Sequence, residues 1–239
     1  MDFPPESLQR FQKPSRYIGR EVGAVIKDDA LVDLHLALAF PDVYEIGMSH
    51  VGLRILYGLI NQQANFWAER VMAPWTDLQE AMQRSGWPLT SLESGRALAD
   101  FDVIGFSLQY ELSYTNILHM LDLGRVPLSA AERGPGSPLV IGGGPGAFNP
   151  EPVADFFDFF YLGEAEAGLL EILSDVAEWK KAGGSRAELL YHLAGRPGIY
   201  VPSLFQPVYG PDGRLLEIKP LKPGYEKAVR VIVPDLDGA

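Results

Sequence analysis

The chain has 239 residues, enough for one sizeable domain. Its 47% hydrophobic and 21% charged residues are those of a folded protein, and a formal net charge of -11 repels phosphate backbones, arguing against direct nucleic-acid binding. With no cysteine, these residues exclude a disulfide, a thiolate zinc site, a cysteine nucleophile and an iron–sulfur cluster, and the four histidines (His35, His50, His119, His192) lack zinc-ligand spacing.

Taken in chain order, residues 1–30 read as an arm rich in proline and charge, with no apolar leader and hence an expected cytoplasmic location. No apolar run approaches membrane-span length, so no membrane contact is expected. Asp33 to Phe40 is an apolar run of strand length stopped by Pro41, and Gly52 to Ile60 spaces Leu53, Leu56, Tyr57 and Ile60 as a helix. The unit then recurs. Phe66 to Met72 is a second strand; Thr76 to Gly86 is a helix starting at Thr76 and ending on glycine. A third strand is expected over Phe101 to Leu108 and a helix over Ser113 to Gly124. Pro138 to Gly144 is the fourth strand and Asp155 to Gly163 the fifth, before a long helix and a shorter one over Ser185 to Leu193.

Five apolar strands alternating with helices predict an α/β fold: a doubly wound, five-stranded parallel sheet over residues 31–195, with ligands at the carboxyl ends of its strands. Residues 196–239 read as a hairpin turning at Gly210-Pro211-Asp212-Gly213, then a linker.

Four loops should share the carboxyl edge. They carry Asp42, Tyr44, Gly47 and His50 after the first strand, Ser107 to Glu111 after the third, Gly142 to Gly146 after the fourth, and Glu164 and Glu166 after the fifth. Consecutive glycines let backbone approach a bulky ligand and free N–H groups to donate, but a tight turn is the simpler explanation for them. Ser107 could donate to a ligand, cap the helix near Ser113, or sit as a satisfied small residue. The macrodipole at a helix start is sufficient reason for at least one of Glu164 and Glu166. His50, just before a helix, reads as a packing or capping residue rather than a base or ligand. No nucleophile–base–orienter series is visible, so the chain is not expected to be catalytic alone.

The loops resemble those of cobalamin-binding domains, which carry Asp-x-His-x-x-Gly after the first strand, a serine after the third and Gly-Gly after the fourth. Asp42-Val43-Tyr44-Glu45-Ile46-Gly47, Ser107 and Gly143-Gly144 match these positions, with tyrosine where histidine would coordinate cobalt. From about Lys13 to Pro220 the chain more closely resembles the N-terminal domain of an uncharacterised family of radical SAM proteins. FPDVYEIGMSHVGLRILY, APW, SLES, FDVIGFSLQYELSYTN, GGGPGAFNPEP and GEAE carry that resemblance. It implies a following radical SAM barrel as partner, holding the iron–sulfur cluster and S-adenosylmethionine, and a cobalamin contacted by Asp42, Tyr44, Gly47, Ser107, Gly143, Gly144 and Glu164. A phenol with a pKa near 10 is a poor cobalt ligand, so Tyr44 is expected to leave the metal without a protein ligand.

Two functions follow. One is an accessory domain that binds cobalamin without a histidine or covers the barrel's active site. The other is a cofactor-free interaction module, for which side chains would fill the space between the first- and fourth-strand loops. A receiver domain would need an aspartate where Ser107 stands, and a flavodoxin would need a hydroxyl-rich loop after the first strand.

Overall fold

The computed structural model describes residues 8–19 and 21–233; the expectations made for residues 1–7 and 234–239, the start of the arm and the end of the linker, lie outside these. Apolar alternation builds one sheet. β1 (Leu34–Phe40), buried along its whole length, pairs in parallel with β2 (Phe66–Met72) over seven residues, and on its other side with β3 (Val103–Ser107). β4 (Leu139–Gly143) and β5 (Phe159–Tyr161) extend the parallel array. The order is β2-β1-β3-β4-β5, as in flavodoxin-like folds, and a sixth strand completes it.

The sixth strand, β6 (Ile199–Tyr200), runs antiparallel on the outer edge of β5 and adds to the five parallel strands expected. Its two residues are too few to show periodicity, and in sequence they merge with the hairpin that follows. That hairpin, β7 (Phe205–Tyr209) and β8 (Leu215–Pro220), turns where glycine and proline predict. The fifth strand is also shorter than expected. Residues 151–156 coil into a 3-10 turn led by Pro150 and Pro152. Next, Asp158 is held by Arg133 Nη1 at 3.0 Å, Arg186 Nη2 at 2.7 Å and the Val140 N–H at 2.7 Å. A carboxylate paired with two guanidinium groups fixes where β5 starts.

Among the described residues six α-helices cover the sheet. The first loop holds α1 (Tyr44–Ser49), separated at His50 from α2 (Val51–Asn61). α3 (Thr76–Ser85) ends on left-handed Gly86; Thr76 is its first helical residue, and Trp75 takes the cap position with no side-chain hydrogen bond. α4 (Tyr114–Leu123), α5 (Leu169–Ala182) and α6 (Arg186–Leu193) follow, and α6 opens on a capping box of Ser185 and Glu188. The apolar stripes of α2, α5 and α6 bury one sheet face with Leu36, Leu38, Ile141 and Phe159. Those of α3 and α4 bury the other with Ala37, Ile104, Phe106, Val140 and Phe160. Among the described residues no helix is long and apolar enough to cross a membrane.

Both sheet edges are closed by side chains. On β2, the Asn61 amide pairs with the Ala68 N–H and carbonyl, both at 3.0 Å. Glu93 accepts the Arg70 N–H at 2.7 Å, and the Leu92 N–H donates to the Arg70 carbonyl at 2.9 Å. On β6, the Tyr225 hydroxyl accepts from the Val201 N–H at 3.0 Å and donates to the Ile199 carbonyl at 2.7 Å.

Candidate functional site

Side chains alternate along a strand, so Leu36 and Leu38 of β1, Val103, Gly105 and Ser107 of β3, and Ile141 and Gly143 of β4 share the face under α2 and α5. Three of these seven positions carry little or no side chain. Ser107 pairs in register with Gly143 and Gly105 with Ile141, so the deficits are adjacent. A Cβ at Gly143 would meet only the Tyr161 carbonyl at 4.0 Å, and one at Gly105 would meet Ile141 at an ordinary 3.6 Å. What results is a cavity of about 280 Å³ at the carboxyl end of the sheet, spanning the β1/β3 reversal.

Leu36, Leu38, Leu56, Ile141, Tyr161 and Leu169 give the cavity apolar walls, while His50, Ser107, Gln109, Glu164 and Glu166 supply its polar groups. Among the described residues no lysine or arginine lines it. The part of any occupant that is buried there is therefore uncharged or cationic, since an anion would face two carboxylates without a counter-charge. Ser107 and Gln109 are half-buried, and neither side chain has a hydrogen-bond partner among the described residues. His50 Nδ1 accepts from the Leu53 N–H at 3.1 Å and so caps α2. That leaves the proton on Nε2, which makes His50 a donor rather than a metal ligand. Burial raises the pKa of the Tyr161 phenol, and Glu166 and Glu171 raise it further, so it remains a neutral wall.

Of the residues singled out in the sequence, Ser107, Gly143, Gly144 and Glu164 come together around this cavity. Gly144 takes a positive φ of 94° and turns the chain out of β4; a Cβ there would lie 3.0 Å from the Leu108 carbonyl. Asp42, Tyr44 and Gly47 are not among the lining residues. Asp42 accepts from the Val43 N–H at 2.7 Å and the Tyr110 hydroxyl at 3.3 Å, joining the first- and third-strand loops. Gly47 lies against Met72 and Phe40, where a Cβ would be 2.2 Å from Met72 Sδ. Tyr44 lines a separate cavity of about 50 Å³ beneath the N-terminal arm, with Arg16, Tyr17 and Met72. Burial raises its pKa first and Glu21 of the arm second, so the phenol stays protonated.

The arm accounts for the rest of the first-strand loop. Glu45 pairs with Lys13 at 3.0 Å and Arg16 at 2.9 Å, which together draw its pKa down to about 2. Arg16 also lies 5.2 Å over the Trp75 ring, and Tyr17 donates to Asp77 at 3.0 Å. The SLES segment is structural too. Ser91 and Ser94 donate to fully buried Glu69 at 2.7 and 2.6 Å, and Glu93 holds Arg70 at 2.6 Å. A groove of about 410 Å³ at the amino end of the sheet is lined by Asp102, Lys180 and Arg186. Its charges are already paired, Lys180 with Asp102 at 2.7 Å and Arg186 with Asp158.

Sequence reading missed Gly105, Leu36, Leu38 and Ile141 as cavity residues. The signal was present in the period-2 pattern, where Val103 gives way to the side-chain-poor Gly105 and Ser107 along one face. Among described residues no group of three or more His, Cys, Asp and Glu is arranged to hold a metal.

No curated protein matches the chain. A family model described as radical SAM proteins, N-terminal, matches residues 52–202, which include α2, five of the six sheet strands and the whole cavity apart from β1 and His50. With more than half of its residues matched, the chain belongs to the family of radical SAM protein N-terminal domains.

Proposed function

We propose that this domain holds a corrinoid of the cobalamin type without a histidine ligand, as the accessory part of a radical SAM protein whose catalytic domain carries the cluster and S-adenosylmethionine. The observation that carries this reading is the open cavity under Ser107 and Gly143-Gly144, where side-chain filling would have favoured an interaction module. Size narrows the fit. At about 280 Å³ the cavity sits at the low end of small-molecule pockets, roughly 300–1,000 Å³, so it admits a flat heterocycle and not a whole corrinoid. The benzimidazole base of a cobalamin tail is such a group, being flat, uncharged and largely apolar.

Leu36, Leu38, Ile141 and Leu169 would enclose that base, with Ser107 and Gln109 free to donate to it. A bound corrinoid would supply a cobalt centre able to carry an organic group beside the radical chemistry of the partner domain. This chain's own part is to bind and to exclude water. The neutral Tyr44 phenol, turned to the arm, is unsuited to cobalt ligation.

A second reading, cover for the catalytic domain, draws on exposed apolar side chains in the same set of loops and adjoining helices. Ile46, Val51, Leu112 and Phe148 are all at least half exposed. The two readings are compatible. To test the first, the purified chain is incubated with hydroxocobalamin, desalted and read in the visible range. Retained corrin absorbance in the wild type, lost in Gly105→Val, is the expected result. Absence of retention in the wild type removes the cofactor from this domain and leaves the cover function.

A further inference from the structure

We infer that Gly163 and Glu164 form a clip that ties the cavity wall to residues 229–233, so that filling the cavity is transmitted to that segment. The occupant rests on the cofactor reading above; the clip rests on geometry alone. Residues 229–233 return to the sheet after the hairpin and run alongside the end of β5. The Val231 N–H donates to the Leu162 carbonyl at 2.9 Å, and the Glu164 N–H donates to the Val231 carbonyl at 3.1 Å. The Gly198 N–H meets the Val229 carbonyl at 3.0 Å. Beyond this ladder the Glu164 carboxylate reaches forward and accepts the Val233 N–H.

Gly163 makes the approach possible. It has a φ of 122°, and a Cβ there would sit 2.0 Å from the Val231 carbonyl oxygen, so any other residue would push the segment away. Gly163, Glu164, Ala165 and Glu166 are at the same time one wall of the cavity. The same carboxylate therefore belongs to both the wall and the segment. Displacing either moves the other. Glu164 is a positioning residue in this role, distinct from the ligand contact that family resemblance would give it.

The test follows amide hydrogen exchange of residues 229–233 in the full chain. Glu164→Ala removes a charged acceptor, so exchange there is expected to accelerate roughly tenfold. Glu164→Gln keeps a carbonyl acceptor and is expected to stay near wild type, and Glu166→Ala to leave exchange unchanged. Unchanged exchange in Glu164→Ala overturns the clip. Transmission is read in two ways. Hydroxocobalamin, and independently Gly105→Val as a built-in filler needing no ligand, should each slow exchange of the segment. Should the wild type retain no hydroxocobalamin, the cofactor reading fails and the Gly105→Val comparison alone decides transmission. Exchange unaltered by that filler overturns it.

Discussion

The two faces of the sheet are made by the same strands and differ in how they are filled. On the α3/α4 face, Ala37, Ile104, Phe106, Val140 and Phe160 pack in one buried cluster with Phe157 and Ile117. On the α2/α5 face the alternate residues of β3 and β4 give way to Gly105, Ser107 and Gly143. Two consecutive glycines make the contrast sharp. A Cβ on Gly142 would strike Leu108 and Phe160 at 2.7 Å, whereas one on Gly143 would meet only the Tyr161 carbonyl, at 4.0 Å. Glycine on the closed face serves close packing; glycine on the open face is a withheld side chain. A helix-covered sheet needs both faces packed for stability, so an unfilled region of one face points to use.

The closed face should be the costly one to disturb. Phe160 is fully buried and packs against Phe157 with tilted rings, centroids 4.8 Å apart. Phe160→Ala is expected to lower unfolding free energy by about 3–5 kcal/mol in urea titration. A cost below about 1 kcal/mol would mean that this face is loosely packed and the contrast is empty.

The paired glycines give a finer cut. Gly142→Val should destabilise by about 1–3 kcal/mol through overpacking against Leu108 and Phe160. Gly105→Val should do the reverse, because it replaces a glycine within a strand, worth about 0.5–1 kcal/mol, and fills apolar space. For a chain of this size that is a rise in Tm of roughly 2–4 °C. If both variants lose stability equally, the open face is not open.

The smallest effect concerns the arm beside the first-strand loop. Glu45 is held at about 2 against an ordinary value of 4.5, so its contribution is complete above pH 4.5 and lost as pH falls toward 2. Amide exchange of residues 13–17 should accelerate over that window, and the acid dependence should vanish in Glu45→Gln. The pairs are exposed, so added salt should blunt the effect.

Much of the fold could be read from the sequence because its strands are short apolar runs between glycines and prolines. β2 matches its expected bounds residue for residue, and the hairpin turns at the predicted tetrapeptide. Tertiary contacts decided the rest. β5 is cut short because Asp158 is claimed by two arginines distant in sequence, and β6 exists only because β5 offers it an edge. At the site, the third- to fifth-strand loops gathered as their glycines and Ser107 suggested. Position in the first-strand loop was a poor guide, since what Asp42, Tyr44 and Glu45 contact is set by Tyr110 and by an arm whose course has no periodic signal.

The side-chain caps on β2 and β6 have a consequence for assembly. Asn61 and the Tyr225 phenol occupy the backbone groups that a stranger's strand would need, so the sheet offers no template for growth at either border. Fibril-like stacking and partner capture by strand addition along this sheet are thereby discouraged in the folded protein. Any neighbour must instead engage the molecule through its loops, its helices or the projecting hairpin, surfaces whose chemistry can be made selective.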